Sequence, residues 1–258
     1  MGARFEVRGA RVEYPGTVAL AGVDLTLEPG EAVAFVGPSG AGKTSLLRLL
    51  GAALHPTDGE VVVAGRPLGA LSPRELRRLR ASIAFIHQDL RLVPELRVVK
   101  NVLAGRLGRM SLAGALKTLA FPSRAEVADV YGILARVGIP DKLYQRTDTL
   151  SGGQRQRVAV ARALYQQPTA LLADEPVSAV DPARARDTVE LLVELSRERG
   201  LTLVVSLHNL ELARELFPRL VGLRHGRVSF DLPSSEISED RFRDLYDLPP
   251  VPQYGRAG

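Results

Sequence analysis

Apolar positions along the chain switch between strict alternation, unbroken runs and helical spacing, and each switch marks an element. Residues 5–27 alternate apolar and polar side chains on either side of Tyr14-Pro15-Gly16, which predicts two short strands around a turn. An unbroken apolar run at 32–36 is followed by helical spacing from Lys43 to Leu50. Residues 59–65 read as another short strand. Ser72-Pro73-Arg74-Glu75 then opens a helix, with an N-cap hydroxyl, Pro at the first position and an acid in the first turn. A further apolar run at 82–87 ends at Gln88-Asp89. From 90 to about 145 strand signals vanish, and helical patterns at 98–107, 112–119 and 124–137 are punctuated by Pro94, Pro122 and Pro140. Strand and helix then alternate again: helix 153–167, strand 169–173, helix 182–199, strand 201–207, a helix from near Asn209 and a hairpin around His225-Gly226. Apolar strands alternating with helices predict a mainly parallel sheet covered on both faces.

Composition narrows the class. A chain of 258 residues, 45% hydrophobic and 24% charged, has the make-up of a soluble globular protein with one large core. No apolar run approaches the length of a membrane span, and residues 1–8 are charged where a signal peptide needs an apolar stretch, so a cytoplasmic protein is expected. With no cysteine there is neither a disulfide framework nor a thiolate metal site. The four histidines (His55, His87, His208, His225) lack metal-ligand spacing. A net charge of +5 permits contact with nucleotide, nucleic acid or an anionic membrane surface. The most basic run, residues 74–80, alternates arginine with Leu76 and Leu79 at helical spacing and reads as a solvated helix face.

The junction between the apolar run at 32–36 and the helix after it carries the clearest chemistry. Gly37, Pro38, Ser39, Gly40, Ala41, Gly42, Lys43, Thr44 and Ser45 fill the pattern G-x-x-x-x-G-K-[ST] of a phosphate-binding loop. Glycines let successive backbone N–H groups turn inward onto phosphate oxygens. The helix behind them adds its positive dipole end and unpaired N–H groups. Lys43 is then expected at the β- and γ-phosphates and the Thr44 hydroxyl on Mg²⁺. The expected fold is therefore α/β, a P-loop NTPase core at 1–89 and 151–230 that includes an N-terminal antiparallel β subdomain. An α-helical subdomain at 90–150 and a tail at 231–258, poorly ordered from Pro249, complete it.

Parallel strands open their C-terminal ends onto one ligand crevice. The apolar run 169–173 ends in Asp174 and Glu175, placing one carboxylate for Mg²⁺ and a second where it could orient and deprotonate an attacking water. Gln88 closes another strand and could give a neutral oxygen to Mg²⁺ or the water, and His208 closes a third within reach of a γ-phosphate. Tyr14, at the turn of the first hairpin, either covers the local core or offers a face to a base. Ser151, Gly152, Gly153 and Gln154, in L-S-G-G-Q before an Arg- and Ala-rich helix, make a second anion site from a hydroxyl, glycine amides and a helix N-terminus. Two such sites in one chain, and one triphosphate to grasp, make a head-to-tail pair of chains plausible.

Phosphate loop, Gln88, L-S-G-G-Q, L-L-A-D-E-P, S-A-V-D and His208, in this order, resemble an ATP-binding cassette (ABC) ATPase from Tyr14 to about Arg227. The resemblance implies ATP and Mg²⁺ as cofactors and an ATP-bridged homodimer in which Lys43 of one chain faces Ser151 and Gly153 of the other. It further implies Tyr14 stacking on adenine, Glu175 as catalytic base, His208 as γ-phosphate switch and Asp181 coupling the two sites. Val180 stands where the family more often has Leu. The lobe around Gln88 resembles the surface that grips a membrane permease, placing the chain on the cytoplasmic face of the membrane with no nucleic acid partner. Residues 101–108, 144–146 and 166–168 are similar to ATPase subunits of phosphonate importers, which work with a separate substrate-binding protein. Exporter ATPases and ATPases that regulate a membrane complex share the same motifs. DNA-repair and translation relatives usually carry a coiled-coil insert or tandem cassettes, and neither is present here.

Overall fold

The computed structural model describes residues 2–177 and 182–246. The first hairpin pairs β1 (Phe5–Tyr14) with β2 (Thr17–Leu27), and both strands are longer than the short ones expected. The unbroken apolar run forms β3 (Ala32–Val36), and α1 (Lys43–Leu50) leaves the glycine-rich loop. Next come β4 (Asp58–Val63), β5 (Arg66–Pro67), α2 (Pro73–Ser82) and β6 (Ile83–Ile86). Ser72 starts α2 as expected: its hydroxyl accepts from the Glu75 N–H and the Glu75 carboxylate accepts from the Ser72 N–H, a reciprocal capping box.

The strand-free stretch is helical, with α3 (Val98–Leu103), α4 (Leu112–Ala120) and α5 (Arg124–Arg136). The helix expected over 98–107 loses its α geometry at Leu103 and continues as a 3₁₀ segment, Ala104–Arg109. Gly105 lies there against the backbone of α6 (Gly152–Tyr165), so near that a Cβ would stand 2.3 Å from the Arg162 carbonyl oxygen. That contact, together with the guanidinium of Arg106 4.1 Å from the ring centre of the buried Tyr165, ties the helical stretch to the rest of the chain. Beyond α6 follow β7 (Ala170–Asp174), α7 (Pro182–Arg199), β8 (Thr202–Ser206), α8 (Leu210–Leu216), β9 (Arg219–Arg224), β10 (Arg227–Pro233) and α9 (Glu239–Tyr246).

Two sheets result. β2-β1-β4-β5 is antiparallel, and β10-β9-β3-β8-β7-β6 is parallel except for the β9–β10 hairpin. The period of two in β3 explains how the six-stranded sheet is covered. Val33 and Phe35 pack with α1 and the antiparallel sheet on one face, while Ala34 and Val36 pack with α6, α7 and α8 on the other. Because β3, β6, β7 and β8 run parallel, their C-terminal ends emerge along one edge, and the motif residues follow them there.

Backbone crowding at Gly105 gives a stability prediction. Gly105→Ala should lower stability by about 1–3 kcal/mol because a backbone oxygen cannot move aside. Gly132→Ala in α5, where a Cβ meets nothing within 4 Å, should instead raise it by up to about 1 kcal/mol. Urea unfolding of the two variants beside the parent checks the opposite signs.

Candidate functional site

The glycine-rich loop is held from both sides by backbone. Gly37 has φ 146°, and a Cβ there would lie 2.1 Å from the Leu223 carbonyl oxygen. Gly42 has φ 106° at the N-cap of α1, and a Cβ would meet the Ala19 oxygen at 2.6 Å. Only glycine fits both approaches. No side chain caps α1, so the N-terminus of this eight-residue helix keeps its donors for a ligand. Ser39 and Gly40 are exposed at the loop's crest while Ala41 is buried beneath it.

Lys43 is buried, and its Nζ donates to the carbonyl oxygens of Gly37 at 2.7 Å and Pro38 at 3.1 Å. Burial lowers its pKa from the ordinary lysine value, against the opposing pull of the Glu175 and Asp174 carboxylates. The cation thus waits inside the loop that it would help to close on an anion.

Asp174, itself buried at the end of β7, is the hub of the site. Its Oδ1 accepts from the Thr44 hydroxyl at 3.1 Å and from the Ser206 hydroxyl at 2.9 Å. The Ser206 Oγ in turn accepts from the Glu175 N–H at 2.8 Å. That bond holds Glu175 in the left-handed region, φ 46°, a conformation that costs a non-glycine residue about 1–3 kcal/mol. The turned backbone brings the Glu175 carboxylate to a hydrogen bond with His208 Nε2. Gln88 lines a cleft of about 490 Å³ with Thr44, Asp174, Arg48 and His87. The structure therefore brings together Gly37–Ser45, Gln88, Asp174, Glu175 and His208 at one sheet edge.

Thr44, Gln88 and Asp174 offer only oxygen donors, the hard ligand set that suits Mg²⁺ when phosphate oxygens complete the shell. Among the described residues no group of three or more His, Cys, Asp or Glu is placed to hold a metal ion by itself.

Tyr14 stands 39% exposed at the tip of the β1–β2 hairpin. Ser151 and Gln154 form a capping box on α6: Ser151 Oγ accepts from the Gln154 N–H at 3.3 Å, and Gln154 Oε1 accepts from the Ser151 N–H at 3.0 Å. Around Gly152 and Gly153 the space is open, with no atom within 4 Å of an added Cβ. Among the described residues, no hydrogen bond joins Ser151–Gln154 to the phosphate loop of the same chain. Asp181 and Val180 lie outside the described residues.

Three residues of the site escape a reading of motifs. Ser206 is fully buried in an apolar strand, and that lone hydroxyl is a signal in itself. Gln156, buried in α6, donates to the Pro176 carbonyl at 2.7 Å and so links the helix behind Ser151 to the loop behind Glu175. Tyr246, at the end of α9, accepts from the Gly37 N–H at 3.0 Å across 209 residues. No local pattern points to either pairing.

Comparison with known proteins agrees with this geometry. The model of the ABC transporter family matches residues 20–178. The chain is 50% identical over 231 residues to the "Phosphonates import ATP-binding protein PhnC" of Pseudomonas fluorescens, covering 90% of this chain and 86% of the relative. It is 44% identical over 256 residues to the Pseudomonas putida protein of the same name, covering 98% of this chain and 94% of the relative. Among solved structures, cbiO1 from Clostridium perfringens, part of the ABC transporter complex cbiONQ, superposes with a TM-score of 0.79 at 27% identity over 93% of this chain and 92% of that one. The ATP-binding cassette MJ0796, in a dimeric post-hydrolysis state bound to ADP and Pi, superposes with a TM-score of 0.75 at 30% identity over 89% and 98%.

Ser206→Ala should leave the Glu175 N–H without its partner and lower stability by about 1–3 kcal/mol. Tyr246→Phe should cost less, about 1 kcal/mol, because it removes one hydrogen bond where Ser206→Ala removes two. Denaturant melts of both variants test the order of the two effects.

Proposed function

The chain belongs to the ABC transporter family of ATPases, and we propose that it is the ATP-hydrolysing subunit of a membrane importer for phosphonate or a related oxyanion. The observation that carries the catalytic part is the hydrogen-bonded row Thr44–Asp174–Ser206–Glu175–His208 beside a buried Lys43. The similarity to relatives named for phosphonate import supports the choice of solute class.

In this reading the triphosphate lies in the loop Gly37–Ser45, with Lys43 leaving the Gly37 and Pro38 carbonyls to meet it. Thr44, Gln88 and Asp174 hold Mg²⁺, which when bound neutralises phosphate charge. Tyr14 stacks on the adenine from the hairpin tip. Glu175, fixed by Ser206, orients the attacking water and takes its proton, while His208 senses the γ-phosphate. Catalysis of this kind depends on positioning and charge neutralisation.

Ser151, Gly152, Gly153 and Gln154 serve the nucleotide of a second copy, with Asp181 coupling the two sites. The open space around both glycines supports this, since a closing partner needs room there. The stretch 90–150 forms the helical subdomain that meets a permease, 1–89 and 151–230 form the nucleotide-binding core, and 231–258 is the C-terminal segment, which finishes β10 and brings Tyr246 to Gly37. No helix among the described residues is long and apolar enough to cross a membrane, and in this reading the permease is a separate chain. A binding protein delivers the solute to that permease on the far side, and the ATPase works on the cytoplasmic face.

Glu175→Gln should abolish steady-state ATP turnover while leaving ATP binding intact, and Lys43→Ala should weaken ATP binding itself by tenfold or more, on the order of a lost charge-assisted contact. Turnover by phosphate release and affinity by equilibrium titration separate the two. Unchanged turnover in Glu175→Gln would reject Glu175 as the base.

A further inference from the structure

The strongest feature outside the nucleotide site is a helix that wears its apolar side outward. In α4 the one buried residue is Thr118, whereas Leu112 is 78% and Leu116 62% exposed. Those two leucines stand one turn apart on one face. Phe121, immediately past the helix, is 80% exposed. Large apolar side chains this far in water mark an interaction surface.

Charge identifies what would cover it. Residues 104–124 contain no Asp or Glu but carry Arg106, Arg109, Lys117 and Arg124. Next to the helix runs a groove of about 440 Å³ lined by Arg74, Arg77, Arg78 and Arg109 together with Met110 and Ser111. Met110 and Ser111 also line the hollow under α4, so the basic groove and the apolar helix form one continuous surface. Among the described residues none of these four guanidinium groups lies in an ion pair: Arg77 and Arg109 donate to backbone carbonyls, and Glu75 is taken by Arg66. The carboxylate nearest in the hollow, Glu126, already accepts from Ser123 and Thr118.

We infer that α4 and the adjoining arginines form a surface that seats on an anionic lipid bilayer. A helix whose leucines and phenylalanine project while arginine and lysine flank them has the character of an interfacial helix: the apolar side chains enter the acyl boundary and the cations meet lipid phosphates. Side chains that project rather than line a groove suit a bilayer better than a partner helix, which seeks a concave seat. Such a contact would orient the ATPase on the membrane beside its permease. The setting rests on the proposed function, but the assay needs no permease, and ATP turnover measured separately reports on the cassette reading alone.

The test is co-sedimentation of the purified full chain with permease-free vesicles, either neutral phosphatidylcholine or phosphatidylcholine with about one-third phosphatidylglycerol. Binding is expected to the anionic vesicles, to fall with added salt, and to drop about tenfold or more in Leu112→Ser/Leu116→Ser. Arg74→Gln/Arg78→Gln should weaken it too, while both variants keep parental ATP turnover. Absence of binding by the parent chain, or equal binding by the leucine variant, overturns the inference. If the leucine variant instead loses only its co-purification with permease, the face belongs to a protein partner. A nucleotide-independent dimer that the leucine variant abolishes would assign it to a second copy.

Discussion

One carboxylate oxygen carries the architecture of the site. Oδ1 of Asp174 accepts the hydroxyls of Thr44 and Ser206, and so joins the start of α1 to the ends of β7 and β8. These elements lie up to 162 residues apart, between Thr44 and Ser206, and meet only because four parallel strands deliver their ends to one edge. A buried charge tolerates this position only while its hydrogen bonds are made, so the network and the sheet register depend on each other. Phosphate loop, acidic pair and histidine are in this sense a single feature of the parallel sheet.

From that hub two kinds of readiness follow. Lys43 is desolvated and occupied by carbonyls of its own loop, which keeps a cation in place without a ligand. Glu175 is held in a left-handed backbone conformation and bonded to His208, which fixes the direction of its carboxylate. In the proposed reaction, preorganisation of this sort would leave little rearrangement at the chemical centre. The serine and glycines that precede α6 are organised differently. They are capped and open, and among the described residues no hydrogen bond joins them to the phosphate loop of their own chain.

Much of this was legible in the residues, and what was not has a physical reason. The phosphate loop, the Ser72 capping box and the apolar strands are local patterns, whose signals lie within one turn or one strand. The helix expected over 98–107 shortened because Gly105 answers to the Arg162 backbone, 57 positions away, rather than to its own neighbours. Ser206, Gln156 and Tyr246 act through partners brought near only by the fold, and Tyr246 reaches Gly37 from the far end of the chain. The outward leucines of α4 kept a helical period, which placed the helix correctly while saying nothing of which face would meet the core.

In the proposed dimer two glycine-bearing helix tips, one from each of two chains, enclose the same triphosphate. The chain has no cysteine, so a S39C/T149C pair in a Glu175→Gln background places one thiol on the exposed crest of the phosphate loop and the other beside Ser151 without touching either motif's glycines. Oxidative cross-linking with and without Mg-ATP, read on a denaturing gel, measures the arrangement directly. A cross-linked dimer should form with ATP and be sparse without it. A chain that cross-links only within itself, or that remains monomeric at saturating ATP, would contradict this arrangement.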